Sequence, residues 1–188
     1  NNLFFKRIAG YDTLRLLLSK KSILVEGDSD ELIVQKAYMA SHEGKLPISD
    51  GIDIISVGIS FLRFLEIAKL LELRVSVITD NDGDIEALNK KYSNYLGENH
   101  CENINICFDS RTHDYNGGLQ DYNNNTLEPC ICRVNSIDIL NSVLNKSYKN
   151  IDDLLRYMKR NKTEVALKIF ESEQDIEFPQ YIKNGISI

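Results

Sequence analysis

Apolar positions along this chain recur in two alternating rhythms. Residues 22–26, 51–58, 73–80 and 104–108 are short runs rich in Ile, Val and Leu, with the length and composition of buried strands. Between them the apolar positions take helical spacing: residues 30–41, 60–71 (with Leu62, Leu65, Ile67, Leu70 and Leu71 on one side) and 85–96. Ahead of the first strand, Leu3, Phe4, Ile8, Leu14, Leu17 and Leu18 read as one or two entry helices interrupted near Gly10. Alternating strands and helices at this spacing predict an α/β fold: a parallel sheet with helices on both faces, binding its ligands beyond the carboxyl ends of the strands. Residues 109–125 are polar and Gly/Asn-rich, the pattern of a mobile loop. Residues 127–144, 151–158 and 163–170, and a short segment after Pro179, are helical by spacing.

At 188 residues the chain predicts one domain, or one domain with a small helical appendage. With 43% hydrophobic residues and no apolar run near the roughly 18 residues a bilayer span needs, no membrane segment is expected. The start has neither an initiator Met nor a secretory signal, which suggests a fragment or processed chain that is not exported. Cys101, Cys107, Cys130 and Cys132 lack the spacing of a structural zinc site and read as buried or incidental thiols. A His/Cys zinc cluster would need the weak set Cys101, Cys107 and His113. A net charge of −6 argues against a general nucleic-acid coat, but not against an enzyme that stores carboxylates to hold cations. The run from Lys146 to Lys168, including Arg156, Lys159 and Arg160, is basic. It reads either as a solvated helical face or as a wall that faces DNA phosphates.

Two acidic motifs fall at the predicted ligand-binding edge. Glu26 ends the first strand, Gly27 permits a sharp turn, and Asp30 follows on the first helical turn, so two oxygens can converge on a hard cation. Asp28 and Ser29 double as helix caps, and Glu31 as a favourable charge at the helix start. Asp80-Asn81-Asp82 ends the third strand with its two carboxylates at strand-like spacing, hence on one side, and Asp84 can join them. Such a cluster calls for a cation, although an acidic turn that starts a helix has the same appearance.

Together and in this order, the motifs resemble the Toprim domain, and the likeness runs on into the C-terminal nuclease region of OLD-family (overcoming lysogenization defect) proteins. Thr126-Leu127-Glu128 looks like that family's later metal-ligand motif, the segment around Asn161-Lys162-Thr163 like its lysine motif, and Pro179-Gln180-Tyr181-Ile182 like its tail. The family has a glutamate where this chain has Asp30, so Asp30 is taken as the ligand, with Glu31 and Asp84 as secondary candidates. The resemblance implies entry helices over 1–21, a Toprim catalytic domain over 22–125 and a helical extension over 126–188 that completes the active site. It implies a metal-dependent DNA endonuclease with two Mg²⁺ or Mn²⁺ ions on Glu26, Asp30, Asp80, Asp82 and Glu128, with Glu26 and Lys162 in catalytic roles. No P-loop is present, so ATP would bind an upstream ATPase domain, and a homo-oligomer acting in the cytoplasm against phage is expected. The rivals are a non-catalytic Toprim module binding DNA or a partner, a primase- or topoisomerase-type catalyst, and a phosphoacceptor domain.

Overall fold

Four strands, β1 (Lys21–Val25), β2 (Ile52–Ser56), β3 (Arg74–Ile78) and β4 (Ile104–Cys107), form one sheet in the order β2-β1-β3-β4, with every neighbouring pair parallel. The computed structural model describes residues 10–113 and 123–188. β1 and β3 are the central strands. Each is buried from its second residue to its last, which is why they read as continuous apolar runs rather than alternating ones. The chain steps outward from β1 to β2 and then returns across β1 to form β3. This reversal opens a crevice at the carboxyl ends of β1 and β3, the place where open parallel sheets bind ligands.

Nine α-helices lie among the described residues: α1 (Tyr11–Leu18), α2 (Asp28–Ser41), α3 (Phe61–Leu70), α4 (Ile85–Lys91), α5 (Leu127–Val134), α6 (Ile137–Leu144), α7 (Ile151–Arg160), α8 (Lys162–Glu171) and α9 (Gln180–Ile186). They cover both faces. On one face Leu16 of α1 joins Phe61, Phe64 and Leu65 of α3, with Leu88 and Tyr92, against Leu24, Ile55 and Val77. On the other, α2 and α5 to α9 share one apolar cluster with Ile23, Val25, Ile54 and Ile78. The C-terminal helices are therefore packed onto the sheet itself.

Three expectations are corrected. The helix expected over residues 85–96 stops at Lys91, because Tyr92 and Tyr95 turn into the core and the backbone tightens to Ser93 N–H···O Lys90 and Tyr95 N–H···O Tyr92 bonds. The single helix expected over 127–144 is two. Asn135 breaks it with an extended backbone, its side chain bonding the Ile131 and Glu177 carbonyls, and Ser136 caps α6 by accepting from Ile139 N–H. The N-cap of α2 is Gly27, one residue before the two caps that the sequence offered. The apolar positions before residue 10, and most of the polar stretch expected as a mobile loop, lie outside the described residues. None of the described helices is long and apolar enough to cross a membrane.

α9 reaches the sheet through Gly185. A Cβ there would stand 2.5 Å from Ile78 Cδ1, well inside van der Waals contact, so glycine sets how closely α9 approaches β3. Gly185→Ala should cost about 1–3 kcal/mol by forced displacement of Ile78, a typical cost of overpacking. Urea unfolding of the variant beside the parent measures it, and an unchanged midpoint would show that α9 is free to move outward.

Candidate metal centre

Leu24 pairs with Val77, so Glu26 and Asp80 leave neighbouring central strands at the same edge. Glu26 is exposed, just beyond Val25. Asp30 lies on the first turn of α2, where one carboxylate oxygen accepts from Gly27 N–H at 2.9 Å. Burial pushes the Asp30 carboxyl up to about 6 against the pull of that bond, and the charges of Glu26 and Glu128 raise it further while Lys162 opposes them. Its neighbour Glu31 faces elsewhere. Glu31 lies 3.5 Å from the Arg15 guanidinium, which also grips Asp53 through two bonds of 2.7 and 2.9 Å. Glu31 therefore belongs to the contact that ties α1 and α2 to the edge strand β2.

Asp80 follows β3 and is more deeply enclosed. One oxygen accepts from Leu127 N–H at the start of α5 (3.1 Å) and the other from the Tyr181 hydroxyl (3.3 Å). Burial, and then the charges of Asp30, Asp82 and Glu128, hold its carboxyl well above the usual range despite the Leu127 bond. The strand-like spacing expected for Asp80 and Asp82 is corrected. β3 ends at Ile78, and Asp82 lies in a turn with left-handed backbone (φ 52°), followed by Gly83 (φ 83°). Buried Asn81 makes that turn: its carbonyl oxygen accepts from Gly83 N–H while its amide donates to the Asp109 and Arg111 carbonyls (2.6 and 2.9 Å). Asp82 still shares a cleft with Glu26 and Asp80. Asp84 lines the same cleft but commits one oxygen to capping α4 at Ala87 N–H (2.8 Å).

The C-terminal helices add two groups. Glu128, only 5% exposed, occupies the first turn of α5, where an acid is favoured by the helix dipole. Lys162 is the first residue of α8, and its ammonium stands 3.3 Å from Glu128 Oε1. Burial alone would lower that ammonium, but Glu128 and then Asp30 and Asp80 outweigh it and raise its pKa, so Lys162 stays charged. Arg156, Lys159 and Arg160 lie on the last turns of α7, just before Lys162. Arg156 is 3.5 Å from Asp153, and all three are exposed.

Two tyrosines here had no role in the sequence reading, where Tyr181 appears only within the tail motif and Tyr92 not at all. Tyr181 seals Asp80 from the α9 side. Tyr92 is fully buried and lines the cleft of Glu26, Asp80 and Asp82; its hydroxyl makes no hydrogen bond among the described residues, although Thr79 lies near enough to oppose the rise that burial gives its phenol. An orphaned donor in a cleft of carboxylates suits an oxygen ligand that arrives with the cation. The donor set is all hard oxygen, as magnesium-type ions require. Among the described residues no three His, Cys, Asp or Glu side chains already stand in binding geometry. Asp30, Asp80 and Glu128 are turned onto Gly27, Leu127 with Tyr181, and Lys162, so binding a cation requires side-chain rotation. The weak zinc set is not assembled: Cys107 packs beside Ser76, and His113 bonds Asp109.

The parallel sheet, with acids from β1 and β3 in its central crevice, is a TOPRIM-like α/β fold. Residues 17–82 match the family model of the overcoming lysogenization defect protein-like TOPRIM domain, and TOPRIM domains generally bind divalent metals. The whole chain resembles the C-terminal region of the Xanthomonas campestris pv. campestris OLD protein. In the structure phased with platinum the TM-score is 0.53 at 17% identity, over 92% of this chain and 93% of that one. The mercury-phased structure gives 0.51 at 18% identity, over 90% and 93%. At such identity the likeness is one of fold. No curated protein sequence matches the chain.

The carboxyl shifts fix a pH dependence. Asp30 is held at about 6, against roughly 4 in an unfolded chain. The folded state therefore prefers the protonated acid, whose contribution is complete below about pH 4 and is lost as pH rises through about 6. The loss is on the order of 2–3 kcal/mol, and Asp80 acts in the same direction. Without divalent ions the protein should melt lower near pH 7.5 than near pH 5. Mn²⁺ should restore stability at the higher pH, and Asp80→Asn should flatten the dependence. A cation-free melting temperature that climbs over this interval would refute the assignment.

Proposed function

We propose that this chain is a divalent-metal-dependent DNA endonuclease module of OLD type, which nicks or cleaves phosphodiesters by hydrolysis. The observation that carries the reading is the meeting of Glu26, Asp30, Asp80, Asp82 and Glu128 in the β1/β3 crevice with a charged lysine, Lys162, brought in from α8. A structural set of acids would be paired one to one with cations. Here burial, and then acidic neighbours, raise both carboxyls: Glu26 and Glu128 act on Asp30, and Asp30, Asp82 and Glu128 act on Asp80, the condition a bound cation relieves.

Glu26, Asp30, Asp80, Asp82 and Glu128 would hold two Mg²⁺ or Mn²⁺ ions. Such ions lower the pKa of bound water and stabilise the attacking and leaving oxygens of an in-line displacement. The chain's own residues do the rest. Lys162 supplies a fixed positive charge for a phosphate oxygen as charge builds in the transition state, and Glu128, Asp30 and Asp80 keep it protonated. Tyr92 offers a neutral hydroxyl donor inside the cleft, burial having pushed its phenol far above the usual value. The last turns of α7, with Lys159 and Arg160, run toward this end of the molecule and would contact DNA phosphates. Residues 22–125 would act as the catalytic domain and 126–188 as the extension that completes the site. An upstream ATPase domain, homo-oligomerisation, a cytoplasmic setting and a role in phage defence complete the proposal.

Incubation with supercoiled plasmid tests it. Nicked or linear product should form with Mg²⁺ or Mn²⁺ and none with EDTA; intact plasmid at high enzyme with both metals would favour a binding module. Lys162→Met should slow cleavage by at least about a hundredfold, the scale of one lost transition-state contact, with DNA affinity nearly unchanged. Arg160→Gln should instead weaken DNA binding modestly and flatten its salt dependence by about one phosphate. Equal, small effects of the two substitutions would place Lys162 in the basic face.

A further inference from the structure

On the α9 side of the crevice lies a second cavity, of about 540 Å³, where the chain leaves β4. Buried Cys130 and Tyr181 line it, and Arg111, His113, Arg133 and Asp109 add its charged and titratable groups. Tyr181 is common to this cavity and to the small pocket of Glu26, Asp30 and Asp80, and its hydroxyl bonds Asp80. One side chain thus separates the cavity from the carboxylates.

Arg133 is prepared for an anion. Its guanidinium donates to the Asn124 carbonyl (2.8 Å) and to Cys130 Sγ (2.9 Å), which fixes its plane with no carboxylate partner among the described residues. An arginine has five N–H donors, so among the described residues the two bonds leave three. Arg111 has a side chain 78% exposed, with Asp109 3.7 Å away as a loose partner, while Asp109 is bound more closely by His113 at 2.9 Å. Positive charge therefore gathers here on a chain whose net charge is −6. Phe108, partly buried against the core on the α1/α3 face, also lines the cavity and adds an aromatic ring to it.

A polymer that places one phosphodiester at the carboxylates must carry its next phosphates past a wall of the crevice. The Tyr181 wall opens onto the fixed donors of Arg133, the exposed guanidinium of Arg111 and an aromatic ring, the combination that tracks a nucleic-acid strand. We infer that the Arg111/Arg133 cavity is a strand-binding subsite, in which the two arginines hold a phosphate flanking the scissile one. The inference rests on the reading of the crevice as a phosphodiester-hydrolysing site.

Arg133→Gln, Arg111→Gln and the double variant of the full chain test it. Binding of a short fluorescein-labelled DNA oligonucleotide is followed by anisotropy in Ca²⁺ over a range of salt. Each single substitution should weaken binding roughly three- to tenfold and reduce the slope of log affinity against log salt by about 0.7–0.9, the signature of one lost phosphate contact. Plasmid cleavage in Mg²⁺ should show a raised KM with kcat nearly kept, and Mn²⁺ affinity should be unchanged. Arg111 is too exposed for its loss to unfold the protein, so Arg111→Gln decides the matter if Arg133→Gln loosens α5. Parent-like affinity, salt slope and KM in Arg111→Gln would overturn the subsite while leaving the catalytic reading intact. A parent protein that binds no DNA in Ca²⁺ and cleaves none in Mg²⁺ would overturn both.

Discussion

Like-charge repulsion at the mouth of the central crevice is the constraint around which the rest is arranged. Asp30 and Asp80 are drawn into low-dielectric surroundings among Glu26, Asp82 and Glu128, and their carboxyls are pushed up as a result. The chain mitigates this locally with backbone N–H groups at two helix starts, Gly27 for Asp30 and Leu127 for Asp80, and with the ammonium of Lys162 at Glu128. These contacts keep the acids in place. They do not neutralise all of them, and in the proposed reading a bound cation would relieve that residual charge.

The two halves of the chain meet at that charge. β1 and β3 present Glu26 and Asp80, while α5, α8 and α9 bring Glu128, Lys162 and Tyr181. Asparagines fasten the joint: buried Asn81 binds the chain beyond β4, buried Asn125 accepts from His113 N–H, and exposed Asn123 donates to the Asp82 carbonyl. Such side chains substitute for regular secondary structure where the backbone must turn, satisfying groups that a strand or helix would otherwise pair. The C-terminal helices are thus part of one packed body, and a site built across them depends on how well α5 and α9 hold to the sheet.

The parallel sheet was readable because its central strands are short, β-branched and apolar throughout, and because strand and helix periods alternate. Glu26 and Asp80 stood out by ending such strands. Less legible was anything settled by tertiary contact. Asp82 adopts a left-handed turn that no periodicity announces, and Glu31, a plausible ligand by spacing, is claimed by Arg15 from α1. Tyr92 falls inside the helix expected over 85–96, yet it leaves that helix and buries its hydroxyl at the site. Tyr181 lies about a hundred residues from Asp80 in sequence, and Arg133 gains its anion-ready pose only from Asn124 and Cys130. Pattern shows what a residue can do, while packing decides what it faces.

Calorimetric titration of the protein with Mn²⁺ near pH 6 tests the central claim most directly, because it reads the acids without needing a substrate. Binding should release protons, since the Asp30 carboxyl is held at about 6 and that of Asp80 is raised in the same direction, and Asp80→Asn should lose both the heat of binding and much of the proton release. No binding in the parent, or binding in Asp80→Asn with the same affinity and proton release, would contradict a cation centre in the crevice.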